Sequence, residues 1–288
     1  MTSTVPQWFS SAIAQPPEHL AFEHEGLRLH YRAWGGRGQR VVVLLHGGSA
    51  HGGWWEHIAP YLATGHRVLA PDLTGHGRSD HRDHYGLDIW AGEVAALLAV
   101  ESRAADEPPF VIGHSMGGWV TMMLAAQYPD LPGGIIVVDV PMRHRSPEER
   151  AAQARNARTS LPVYDSLETA LGHFRLMPDQ DSALPYVMAH VGRASVKEVE
   201  GGWTWMFDPQ VFARSRDVQP DFRAVSCPTT LLASEKGLLS LEMAGRGAEM
   251  LGGPVVVAQI PNAGHHAMMD QPLSLVTALR LSLAYGEA

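Results

Sequence analysis

The sequence predicts a doubly wound α/β domain: a mostly parallel sheet with helices on both faces and an inserted helical cap. Three observations lead there. Short β-branched apolar runs recur along the 288 residues. Helix-length segments fall between them, and alternating βα units build parallel sheets. Residues 141–222 then break the rhythm, showing helical patterns without strand alternation, before the sheet resumes.

Leu27–Ala33 alternates and reads as an early strand. Arg40–Leu45 (R-V-V-V-L-L) is continuously apolar, as a strand buried on both faces should be. His66–Ala70, Phe110–Gly113, Ile135–Asp139, Thr229–Ala233 and Val255–Ile260 complete the series. Tyr85–Val100, Met116–Tyr128 (stopped by Pro129) and Leu273–Tyr285 read as helices. In the insertion, P-E-E-R-A-A-Q-A-R-N-A-R, L-E-T-A-L-G-H-F-R-L and P-Y-V-M-A-H-V-G-R-A-S-V have helical character. The expected division is a core of 1–140 and 223–288 with a cap of 141–222. Residues 1–20 read as an irregular leader on the surface. Ligands on such sheets bind outside the carboxyl ends of the strands, which directs attention there.

The net charge of −8 argues against nucleic-acid or anionic-membrane partners, and a small-molecule substrate is expected instead. Cys227 is the single cysteine, so a disulfide framework is excluded. No signal-type leader and no membrane-length apolar run is present, so a cytoplasmic location is expected.

Phe110–Pro129 reads F-V-I-G-H-S-M-G-G-W-V-T-M-M-L-A-A-Q-Y-P and contains G-x-S-x-G as Gly113, Ser115 and Gly117. The pattern alone is weak. Its context, a β-branched run leading in and a helix leading out, describes a sharp turn that presents a serine hydroxyl above a sheet. The glycines leave room where side chains would collide. The Met116 N–H opens the helix and faces an oxyanion forming beside Ser115.

L-L-H-G-G-S-A-H-G-G-W-W (Leu44–Trp55), P-D-L-T-G-H-G-R-S-D (Pro71–Asp80) and I-P-N-A-G-H-H-A-M-M-D-Q-P (Ile260–Pro272) accompany the serine turn. In these motifs and their order the chain resembles the α/β-hydrolase superfamily, in particular its serine esterase-like members. The resemblance implies a Ser115 nucleophile, with His265 as the base in preference to its neighbour His266. Gly48 supplies the second oxyanion-hole N–H, beside Ser49.

The acid is displaced. The family usually carries it in the loop after Thr229–Ala233, where this chain reads Ser234-Glu235-Lys236-Gly237. Gly237 cannot orient a histidine. Some members take the acid one strand earlier, after the strand preceding the cap, and there I-I-V-V-D ends in Asp139. Asp139 is preferred, Glu235 is the alternative, and Asp270 reads as a cap or loop residue.

Trp54, Trp119 and Trp205 are candidate walls of an apolar pocket, joined by Trp55, Trp203, Met206 and Phe207. Arg143 and His144 are candidates for a substrate's polar end. His76, His81, Asp83 and His84 lack good metal spacing, and neither metal nor cofactor is expected. The reaction expected is cleavage of a carboxylic ester, or of an amide, lactone or thioester, through an acyl-enzyme. The alternatives on this fold are a cofactor-free dioxygenase, which the resemblance also touches in S-x-G-G-W-V, and a triad-bearing ligand receptor.

Overall fold

Along Arg40–Leu45 (β3) every residue after the first is buried. Val41, Val43 and Leu45 join one core layer, and Val42 and Leu44 the layer on the opposite face. This two-sided burial, with period two, is why the strand reads as an unbroken apolar run. In the computed structural model, residues 5–143, 146, 148–149, 152, 160–216 and 218–286 are described.

The main sheet has eight strands in the order β1-β2-β4-β3-β5-β6-β9-β10. These are Glu18–His24 (β1), Leu27–Trp34 (β2), β3, His66–Pro71 (β4), Phe110–His114 (β5), Gly134–Val138 (β6), Thr229–Lys236 (β9) and Val255–Gly264 (β10). β2 pairs antiparallel with β1 and β4, and the remaining pairs are parallel. The helices Leu87–Glu101 and Met116–Gln127 pack through Trp90, Val94, Val120 and Met123 on one face. The helix Pro272–Gly286 covers the other through Leu275 and Leu279. No helix among the described residues is long and apolar enough to cross a membrane.

The structure corrects the sequence reading in several places. The leader is not irregular: Gln7–Ile13 is a helix, and Glu18–His24 is an edge strand paired along its length with β2. Leu20 and Phe22 alternate toward the core, a signal present in E-H-L-A-F-E-H. The segment between β6 and β9 also contains a hairpin, Val196–Val199 (β7) with Gly202–Trp205 (β8). Gly201 and Gly202 carry its turn at φ values of +85° and +142°, which side chains avoid. Two helices expected there are present as Leu167–Gly172 and Pro185–Ala194. The charged helix expected over 147–158 lies largely outside the described residues. Finally, β9 runs through Glu235 to Lys236, so Glu235 belongs to a strand rather than a loop.

Candidate active site

β5 ends at His114, and the chain turns directly into the helix Met116–Gln127. Ser115 sits between them at φ 54° and ψ −119°, a conformation that costs a non-glycine residue about 1–3 kcal/mol. Close approach forces the neighbouring glycines. A Cβ on Gly113 would stand 2.2 Å from the Gly117 carbonyl oxygen, and one on Gly117 would stand 2.5 Å from that of Leu45. The strain is held by the Ser115 N–H, which donates to the Val138 carbonyl at 3.1 Å. Met116 is the first helical residue, and its N–H has no intrahelical carbonyl to serve.

Asp139 follows β6 directly and is fully buried, with φ 50°. Its Oδ1 accepts the N–H groups of Ser234 and Leu239, both at 3.1 Å. Its Oδ2 accepts the Leu238 N–H at 2.8 Å and the His265 Nδ1–H at 2.7 Å. These donors offset the cost of burying a carboxylate. Gly237 now has a physical reason. A Cβ there would lie 2.3 Å from Asp139 Oδ2, so the glycine vacates the space that the Asp139 carboxylate occupies.

His265 completes the line. With its Nδ1 proton given to Asp139, Nε2 accepts from the Ser115 hydroxyl at 3.0 Å. The ring is 4% exposed. The rival, His266, points its Nε2 to the Met177 carbonyl at 3.2 Å. Burial, and next the neighbouring His265, hold the His266 ring down to about 3, so it stays neutral. Glu235 accepts the Asn262 N–H and thereby holds the bulge of β10 that precedes the histidine. Asp270 likewise accepts the Gly264 N–H at 2.8 Å, bracing the histidine turn instead of capping a helix.

The loop Gly47–Ser49 after β3 is set by His46. Its Nδ1 donates to the Gly47 carbonyl and its Nε2 accepts the Leu73 N–H, which fixes the bend before Gly48. Burial pushes this ring down to about 4. Ser49 is half-buried beside Gly48 at φ 59°.

The sequence profile of the alpha/beta hydrolase family matches residues 42–279. The chain belongs to the alpha/beta hydrolase family. It is 28% identical over 267 residues to the esterase Rv0045c of Mycobacterium tuberculosis, covering 86% of this chain and 83% of that protein. The structure of E-2-(acetamidomethylene)succinate hydrolase superposes with a TM-score of 0.78 at 19% identity, over 93% of this chain and 99% of the other. The thioesterase domain from the curacin biosynthetic pathway gives 0.75 at 22%, over 92% and 99%. At such identities the structural likeness speaks for the fold alone.

Aromatic rings stand beside the histidine turn of this α/β-fold hydrolase. Trp54 contacts His266 and Phe174, and Phe174 contacts Trp205, at centroid distances of 5.6, 6.1 and 6.1 Å. Trp54 and Trp205 therefore belong to one cluster. Trp119 does not join it through these contacts and packs instead on Phe222 in the opposite core layer. Phe212 is one residue that the sequence did not single out. Its ring lies on the Cα of Gly48, 2.5 Å from where a Cβ would stand, and nothing local in F-A-R-S-R announces that long-range contact.

Other candidates fall elsewhere. Arg143 makes a two-pronged ion pair with Glu149 at the surface, and His144 lies outside the described residues. Met206 and Phe207 tie backbone to Gly77 and His76. Trp203 pairs with Tyr164. His76 is buried and donates to the Thr74 carbonyl, whereas His81, Asp83 and His84 line a surface cavity of about 700 Å³ with Arg214 and Arg216. A smaller cavity of about 320 Å³ opens by Gln15, Trp34 and Thr64. Neither is lined by Ser115, Gly48 or His265. Among the described residues one trio, His114, His265 and His266, brings ring nitrogens within 4.8 Å of one another. Both His265 nitrogens are engaged, and His114 Nε2 donates to the His265 carbonyl, so the trio as it stands is a packed imidazole cluster.

Proposed function

We propose that this hydrolase is a serine esterase in which Ser115, His265 and Asp139 act as nucleophile, base and acid. One observation carries the reading: a single imidazole bonded to a hydroxyl on one side and to a buried carboxylate on the other. The esterase relative from Mycobacterium tuberculosis supports the choice of reaction.

Ser115 Oγ attacks the acyl carbon and passes its proton to His265 Nε2. The Gly48 and Met116 N–H groups hold the negative charge that develops on oxygen. One such donor is typically worth about 10²–10³ in turnover. The tetrahedral species collapses as His265 returns the proton to the leaving alcohol. Water then repeats the cycle on the acyl-enzyme, and the carboxylic acid leaves. Asp139 keeps the proton on Nδ1 and steadies the imidazolium. The Trp54, Phe174 and Trp205 cluster suits an apolar group of small or medium size, and 141–222 serves as the cap over the site. Cys227, buried, with its thiol pushed up to about 11 by that burial, suits a protein that uses no redox thiol.

Ser115→Ala tests the proposal. Hydrolysis of p-nitrophenyl butyrate should fall by about 10⁶, as in other serine triads, and a fluorophosphonate probe should no longer label the protein. Retained turnover or labelling removes Ser115 from the chemistry. Oxygen uptake with a hydroxyquinolone in place of ester turnover would favour the dioxygenase reading. Tight ligand retention without turnover would favour a receptor.

A further inference from the structure

The histidine turn is held only in part by its own sequence, through Asp270 on the Gly264 N–H and the Met269 N–H on the His266 carbonyl. Gly264–Asp270 is laced to the stretch 177–184 of the inserted segment. The Gln180 side chain grips both main-chain polar groups of one residue: its Oε1 accepts the His266 N–H at 2.9 Å, and its Nε2 donates to the His266 carbonyl at 3.3 Å. The Met177 carbonyl accepts from the His266 ring. The Ser182 hydroxyl donates to Asp270 Oδ2 at 2.7 Å, the same oxygen that accepts the Gly264 N–H. The Leu184 N–H donates to the Met269 carbonyl at 2.9 Å. His265 lies in the middle of this lacing, and its own backbone carbonyl is held by His114 Nε2 at 2.8 Å.

Gly264 reports the tightness from the other side. A Cβ on it would stand 2.5 Å from the Gln180 amide carbon, so the residue before the base has room for no side chain while the amide is in place. The same stretch begins three residues after Phe174, the ring that joins Trp54 to Trp205. The wall of the aromatic cluster and the support of the base are thus one continuous piece of chain.

Resting on the esterase reading, we propose that Gln180 is a positioning residue for the reaction: a strap from the inserted segment that sets the place of His265 by clamping the backbone of His266. It touches neither Ser115 nor Asp139 and acts only through that backbone. Misplacing a reacting group by about 1 Å costs on the order of 10² in rate, which sets the scale of the effect.

The test uses the full chain carrying Gln180→Met, which keeps the length of the side chain and removes both amide contacts. The kcat for p-nitrophenyl butyrate, and the rate constant for fluorophosphonate labelling of Ser115, should each fall about 10- to 100-fold. KM should stay within about twofold of wild type, and labelling should still reach full stoichiometry. Gln180→Glu keeps an acceptor for the His266 N–H but sets a carboxylate oxygen against the His266 carbonyl, so it should show a loss of the same order, about 10- to 100-fold. Gly264→Ala, which pushes the amide out from the opposite side, should reproduce the slow but complete labelling. A Gln180→Met enzyme with kcat within twofold of wild type overturns the proposal. So does one that labels at the normal rate to a reduced endpoint, because that signature means lost folded protein. Labelling that persists in Ser115→Ala strikes at the esterase reading itself and is read separately from the strap.

Discussion

The two ends of the hydrogen-bonded line are held in opposite ways. Ser115 is fixed mainly by one strand–turn–helix unit, whose glycines let β5, the helix and β3 close on one another, with its N–H bonded to Val138 of the neighbouring strand. His265 is fixed by groups remote in sequence: Asp139 on one side, His114 beneath, and Gln180 and Ser182 from the inserted segment. A local device is all or nothing, because its parts also close the fold. A distributed device can be loosened one contact at a time, and its failures should register in rate before they register in folding.

Substitutions that touch each end can break or sharpen this contrast. Gly117→Ala should register in folding: its methyl meets backbone oxygens of Leu45 and His46, which cannot yield cheaply. A stability loss of about 3 kcal/mol, read from urea unfolding, is the expected result. Gly237→Ala should register in rate instead. Its methyl meets the Asp139 carboxylate and displaces the group that orients His265, so kcat should drop about 10²-fold with milder loss of stability. If both variants unfold alike, the contrast fails.

Acid should loosen the structure generally. Burial holds His46 and His57 down to about 4 and His51 down to about 3, and the native rings stay neutral. The unfolded chain takes up protons near 6.5. Below that value the unfolded state binds more protons, so this stability, complete above 6.5, is lost as pH falls toward 4 and 3. Each ring contributes at most about 1.4 kcal/mol per pH unit. The urea midpoint should be clearly lower at pH 5.5 than at pH 7.5, and an unchanged midpoint contradicts the assignment. The smallest effect is expected at Phe212. Phe212→Ala should uncover Gly48 and change KM for bulky acyl esters by less than about tenfold, with kcat for short esters nearly unchanged.

What the sequence disclosed follows the same division. The elbow, the strands buried on both faces and the histidine turn are local patterns, so their residues stand where the motifs put them. Asp139 was legible from the end of an apolar run, but its reason, the space vacated by Gly237, needed the register of β6 beside β9. Glu235 looked like a loop carboxylate because strand ends are poorly marked in sequence; in fact β9 continues past it. The β7–β8 hairpin was hidden by a helical reading that ran into V-K-E-V, although E-G-G marked its turn. Phe212 and Gln180 were invisible, because each matters through a contact with a residue far away in the chain.

The acid decides the account. Asp139→Asn and Glu235→Gln, purified together and assayed on p-nitrophenyl butyrate, test it most directly. Asp139→Asn should lower kcat by about 10⁴ with the fold intact by circular dichroism, while Glu235→Gln should stay within about tenfold of wild type. A collapse of the Glu235 variant beside an active Asp139 variant would contradict the arrangement derived for this site.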